Sequence, residues 1–121
     1  MSEKYLLDSD VWLSYFYGQN KAVIDYIESE LILLSSSISM FEVKRKLKKD
    51  KISSEKIAKV ISFISKRSIV IDATQEICES ASNINLGDVD SIIYTTAMQN
   101  NAILLTNDSV YKKIKNTILL N

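Results

Sequence analysis

What most constrains the fold is a set of short, wholly apolar runs separated by segments with helical spacing. Tyr5-Leu6-Leu7, Leu31 to Leu34, Ile69-Val70-Ile71 and Ala102-Ile103-Leu104-Leu105 are each three or four residues long. That is too short for a buried helix and right for a strand buried on both faces. Ile118-Leu119-Leu120 is expected as a short last strand. Between these runs the residues fall on helical faces: Val11 to Phe16, capped by Ser9 or Asp10 and stopping near Gly18; Lys21 to Glu30; Ser39 to about Lys49; and Ser53 onward, with Ile57, Val60, Ile61 and Ile64 in register. Thr74 is placed to cap a short helix through Ile77, Cys78 and Ala81, Gly87 to Ala97 reads as a helix with an acidic start, and Ser109 to Lys115 is expected to be helical. Apolar strands joined by helical crossovers imply an α/β fold, a mostly parallel sheet covered by helices on both faces. The chain, residues 1–121, is expected to form one domain.

In such a sheet ligands collect outside the carboxyl ends of the strands. Acids stand at that edge. Asp8 directly follows the first run, and Glu42 lies in the first turn of the helix after the second, where Ser39-x-x-Glu42 matches a capping box. Asp90 falls in the first turn of the helix that leads into the fourth run, and Asp108 lies just beyond that run. Each acid taken singly has an ordinary explanation, because acids are favoured in first helical turns and caps collect on the same edge. Asp72, which also ends a strand, is given only a turn or capping role. Residue type argues the other way: Ser, Thr and Asn cap as well as Asp, and clustered carboxylates repel one another unless a cation offsets them.

Composition narrows the chemistry. The chain has no histidine and one cysteine, Cys78, so Ser-His and Cys-His nucleophile pairs and His/Cys zinc sites cannot be assembled. Hard oxygen donors without His or Cys select Mg²⁺ or Mn²⁺, which turn bound water into a nucleophile and stabilise charge on a phosphodiester. The residues alone leave two accounts open, a metal site and a set of helix caps.

Four stretches together resemble the PIN-domain ribonucleases. Leu7-Asp8-Ser9-Asp10-Val11 is similar to that family's opening D-[ST]-[NS]-V, and Ser39 to Val43 to its S-x-x-x-E helix start, offset by one residue. Asp90-Ser91-Ile92-Ile93-Tyr94-Thr95-Thr96-Ala97 is similar to its D-A-x-I-A-A-x-A helix, and Leu105-Thr106-Asn107-Asp108 to its L-T-N-D strand end. The resemblance implies a PIN-like three-layer fold with a five-stranded parallel sheet in the order 3-2-1-4-5. It also implies that Asp8, Glu42, Asp90 and Asp108 bind one or two Mg²⁺ or Mn²⁺ ions, while Thr106 and Ser9 orient the carboxylates by hydrogen bonds. Asp10 adds an acid without an assigned use. Asp88 competes with Asp90; residues two apart on a helix point to nearly opposite sides, so Asp90 is taken for the cleft and Asp88 for the cap.

Lys44-Arg45-Lys46-Leu47-Lys48-Lys49-Asp50-Lys51 is the clear basic cluster in a chain otherwise balanced at 15 cationic and 15 anionic residues. It reads either as a solvated helix face or as contacts to RNA phosphates flanking a cut, with Lys44, Arg45 and Lys48 the candidates. Trp12, Tyr15 and Phe16 are expected in the core or a dimer interface. The function expected is an Mg/Mn-dependent endoribonuclease that cleaves RNA with metal-activated water, within that class a small VapC-like toxin. Such toxins resemble this chain in size, usually dimerise and are silenced by an antitoxin protein. A stand-alone RNA-processing nuclease and a non-catalytic PIN-fold module that binds RNA or protein are the alternatives. Asp8-Ser9-Asp10 also matches a dehalogenase-type D-x-D, which fails on motif order and length. The N-terminal segment reads as neither signal peptide nor membrane span, and with a lone Cys this places the expected site of action in a reducing cytoplasm.

Overall fold

In the computed structural model, which describes residues 3–18 and 20–120, the apolar runs form five strands: β1 (Lys4–Leu7), β2 (Ile32–Ser36), β3 (Ile69–Ile71), β4 (Ile103–Thr106) and β5 (Thr117–Leu119). Met1 and Ser2, the start of the segment read as carrying no signal, lie outside the described residues. The strands pair in the order β3-β2-β1-β4-β5, every pair parallel, as expected. They are joined by α1 (Ser9–Tyr17), α2 (Lys21–Ile27), α3 (Ser37–Lys49), α4 (Ser54–Arg67), α5 (Gln75–Ala81) and α6 (Asp88–Gln99). A single 3₁₀ turn, Ser109–Tyr111, precedes β5.

Because successive side chains in a strand point to opposite faces, the leucine pairs are divided between two cores. Leu7, Leu33 and Leu105 pack with Val11, Trp12, Val43, Leu47, Ile57 and Ile64 on the α1–α4 side. Leu6, Leu34 and Leu104 pack with Ile93, Tyr94, Ala97 and Tyr111 on the α6 side. Trp12 belongs to the core: it is fully buried, and its indole N–H donates to Ser35 Oγ at 3.0 Å. Tyr15 and Phe16 pack their rings on Phe63 of α4 and are half-buried.

The register explains how distant residues meet. Leu6 pairs with Leu34 and with Leu104, and Leu7 pairs with Leu105. The backbone N–H of Asp8 then donates to the Leu105 carbonyl at 2.9 Å, which places Asp8 beside Thr106 at the carboxyl end of the two central strands. This is where strand order reverses, and it is the place for a ligand in a parallel sheet.

Local details differ from the expectations. The second strand runs on to Ser36, and the Ser36 side chain caps α3 by accepting from Ile38 N–H, so the Ser39–Glu42 capping box does not form. Ser39 is instead fully buried inside the helix, and Glu42 lies beyond its first turn. Asp8 itself caps α1, ahead of Ser9 and Asp10. Helix α2 ends at Ile27, short of Glu30. Asp88 is the first residue of α6 and not its cap; Gly87 holds the cap position without a side-chain bond. The expected Ser109–Lys115 helix shortens to the 3₁₀ turn because Tyr111 turns into the core and the Asn116 carbonyl must already pair with Leu104 N–H.

Candidate active site

The site is built around Asp8. Its Oδ1 accepts from Ser9 N–H at 2.8 Å and its Oδ2 from the Thr106 hydroxyl at 2.8 Å. Thr106 Oγ1 in turn accepts from Asp108 N–H at 3.0 Å, so one buried hydroxyl ties the first strand's acid to the turn that carries the fourth acid. Asp108 Oδ1 accepts from Val110 N–H at 3.0 Å and caps the 3₁₀ turn. The Ser9 hydroxyl donates to Glu42 Oε1, which fixes the α3 carboxylate toward the same place. Asp90 enters from α6. Its Oδ2 lies 3.3 Å from where a Cβ on Gly87 would stand, so a side chain at 87 would press on that carboxylate.

Asp8, Ser9, Asp10, Leu13, Glu42, Lys46, Asp90 and Asp108 line one cleft of about 280 Å³ at this edge. All four acids expected at the site therefore face a common opening. Asp88 is exposed and outside it, as is Asp72, whose carbonyl accepts from Thr74 N–H beyond β3. Three residues of the site were missed or left without a role. Asp10 lines the cleft and accepts from Asn107 N–H at 3.4 Å; its place in D-x-D was the available signal. Lys46 lines the cleft, whereas Lys44 and Lys48 line a separate depression with Ile57 and Ile61 of α4, and the Arg45 guanidinium sits 5.4 Å from the Phe41 ring. The buried Tyr111 hydroxyl donates to the Asp90 carbonyl at 3.2 Å, a contact for which the sequence carried no local signal.

Electrostatically the cleft is strongly acidic, with Lys46 the one cation on its lining among the described residues. Among the described residues the ion pairs are Lys21–Asp25, Lys46–Asp50 and Lys59–Glu55, and none reaches a cleft acid. Burial, with repulsion from Asp10 next, pushes the Asp8 carboxyl up to about 7. Burial and the Asp108 and Asp90 charges likewise push Asp10 up to about 6, and Asp90 is raised by burial and by Asp108. Among the described residues no three acidic, histidine or cysteine side chains are closed into a ready-made metal cage. The donor set still fits a small hard cation, because Mg²⁺ keeps several waters and takes only one or two carboxylates plus substrate phosphate.

Thr106→Val tests how this edge is held. Valine keeps the volume but leaves an Asp8 oxygen and the Asp108 N–H without their buried partner, at a cost of about 1–3 kcal/mol. Urea denaturation is expected to show a lower midpoint with an unchanged slope.

A parallel α/β sheet with a carboxylate-lined cleft where its strand order reverses defines the class of protein, and comparison with known proteins agrees. The PIN domain family model matches residues 5–116, and the chain belongs to that family of nucleases. Among solved structures it is similar to a toxin–antitoxin complex from Klebsiella pneumoniae, at 20% identity over 97% of this chain and 98% of the other, with a TM-score of 0.76. It is similar to DNA-bound VapBC from Salmonella typhimurium, at 16% identity over 97% and 96% of the two chains and a TM-score of 0.77. It also resembles VapC20 of Mycobacterium tuberculosis, described as a sarcin–ricin loop-cleaving toxin, at 11% identity over 92% and 95% and a TM-score of 0.73. No curated protein sequence matches the chain. No described helix is long and apolar enough to cross a membrane.

Proposed function

We propose that the protein is an Mg²⁺- or Mn²⁺-dependent endoribonuclease and acts as a VapC-like toxin held in check by an antitoxin protein. The observation that carries this reading is the cleft itself: carboxylates from just past β1, from α1, α3 and α6 and from the turn after β4 share one opening, and among the described residues none of them is in an ion pair. A set of caps does not need this. Asp8 and Asp108 do cap, but Glu42 lies beyond the first turn of α3, Gly87 rather than Asp90 holds the cap position of α6, and burial makes the Asp8 and Asp10 charges costly.

Asp8, Asp90, Asp108 and Glu42 are the residues that would hold the cation, with Asp10 available beside them. Bound there, a divalent ion supplies a lowered water pKa and charge neutralisation on the phosphodiester. The chain's own residues do the positioning. Thr106 fixes the Asp8 carboxylate plane, Ser9 fixes Glu42, and the bonds from Thr106 to Asp8 and from Asp108 N–H to Thr106 hold the two acids of the central strands together. Lys44, Arg45 and Lys48, exposed on α3, are proposed to meet RNA phosphates outside the cleft. Their joint replacement by Gln should weaken RNA binding and lower the slope of log affinity against log salt by about 0.7 per lost contact for a single strand. The toxin role and the antitoxin partner rest on the neighbours described above as toxin–antitoxin complexes, and a homodimer on the family resemblance.

The test is incubation of the purified protein with structured RNA in Mn²⁺ and in EDTA. Endonucleolytic products in Mn²⁺ alone are expected. RNA that is bound but left intact under both conditions would favour a binding module instead.

A further inference from the structure

We propose that Lys46 is a substrate-contacting residue that swings away from Asp50 to bind a phosphate oxygen of the RNA strand at the cut; this rests on the nuclease reading above. Among the described residues Lys46 is the one cation that lines the acidic cleft. Glu42 and Lys46 on α3 and Asp50 at its C-cap follow at four-residue spacing, so Lys46 stands between a cleft acid on one side and Asp50 on the other. Its ammonium is paired at 3.2 Å with Oδ1 of Asp50, a carboxylate that does not line the cleft. The Tyr17 hydroxyl donates to Asp50 Oδ2 at 2.6 Å, so Asp50 stays fixed whether or not Lys46 is on it.

The Lys46–Asp50 pair is easily parted. The Lys46 side chain is 49% exposed, and a pair in high dielectric is weak and screened. A phosphodiester that enters a cleft of five carboxylates meets a repulsive field, and a protein cation at the rim offsets the part of that field a bound divalent ion leaves. Lysine is suited to such a position, being a compact point charge on a flexible stem whose bond to a phosphate oxygen is charge-assisted. The contact would also strengthen as negative charge builds on the non-bridging oxygens during displacement. The other cations of the run are placed differently, Lys44 and Lys48 toward α4 and Arg45 over Phe41.

The experiment compares Lys46→Met, Lys46→Arg and Asp50→Asn for single-turnover cleavage in Mn²⁺. The same three changes are made in an Asp90→Asn background for RNA binding across KCl in Mg²⁺. Lys46→Met is expected to slow cleavage at saturating RNA about 100-fold and to reduce the salt slope by about 0.7. Lys46→Arg should restore most of the slope. Asp50→Asn should leave the slope intact and bind RNA at least as tightly as the parent. An unchanged slope and rate in Lys46→Met would overturn the proposal, as would an Asp50→Asn variant that reproduces the Lys46→Met loss, since that would make the lysine merely Asp50's partner. Failure of the nuclease reading looks different: RNA bound without cleavage by the unmodified protein. In that case the slope alone decides for or against the Lys46 contact, and absence of any RNA binding overturns both.

Discussion

Asp8→Asn and Asp90→Asn are each expected to lower the single-turnover rate of Mn²⁺-dependent RNA cleavage by about 10³-fold while leaving the circular dichroism spectrum unchanged. Asparagine keeps the shape of the side chain and removes the charge. At Asp8 the Thr106 hydroxyl, which now donates to Oδ2, can turn to accept from the new amide, so the edge of the sheet need not move. At Asp90 the side chain remains over Gly87, half-buried. Asp88→Asn serves as the internal contrast. Asp88 sits two residues earlier on the same helix, is exposed and does not line the cleft, and its rate should stay within about twofold of the parent. Equal losses at 88 and 90 would mean that the wrong face of α6 has been assigned to the site.

The same Asp8→Asn change should stabilise the metal-free protein at neutral pH and above. Burial holds the Asp8 carboxyl at about 7 against an ordinary 3.8. The folded state therefore binds this proton more tightly than the unfolded chain does. The associated stability is fully present below about pH 4 and is lost as pH rises toward 7. Keeping the carboxylate ionised at pH 8 then costs the fold on the order of 4 kcal/mol, and Asn avoids that cost. Asp10, raised to about 6, adds a loss of the same sign over a narrower window. Urea melts of the parent and of Asp8→Asn should nearly coincide at pH 4 and separate progressively to pH 8, with the variant the more stable. A separation that shrinks as pH rises would contradict the placement of an uncompensated charge at the centre of the sheet. Instability of this kind is what a functional site exacts from its scaffold.

Much of the architecture was legible because it depends on periodicity. Four apolar runs too short for helices and their helical connections are enough to demand a parallel sheet, and the order 3-2-1-4-5 came with the family resemblance. What was not legible depends on contacts between elements. Ser35 and Ser36 looked like a strand end because they are polar, yet both are fully buried in β2, Ser35 satisfied by Trp12 Nε1 and Ser68 Oγ. With serines at 35, 36, 37 and 39, local rules could not choose the cap of α3, and the choice fell one turn late. At the site, acids next to strand ends were visible from connectivity alone. Lys46 was hidden among six cations of one run, because which of them faces the cleft is set by the rotation of α3 against the sheet. Tyr111 reaches Asp90 only because the final segment turns inward, 21 residues later in the chain.

In the proposed function these carboxylates together hold a divalent cation. Thermal unfolding of the parent, of Asp8→Asn and of Asp90→Asn is to be followed against Mn²⁺ concentration at pH 8, without RNA. A cation that binds only the folded state at a hundred times its dissociation constant adds about 2.7 kcal/mol, or about 8–12 °C in Tm for a chain of this size. The parent should show that saturable rise, and each variant should lose most of it. A parent Tm that is flat up to millimolar Mn²⁺, or a rise that survives both substitutions, would contradict the claim.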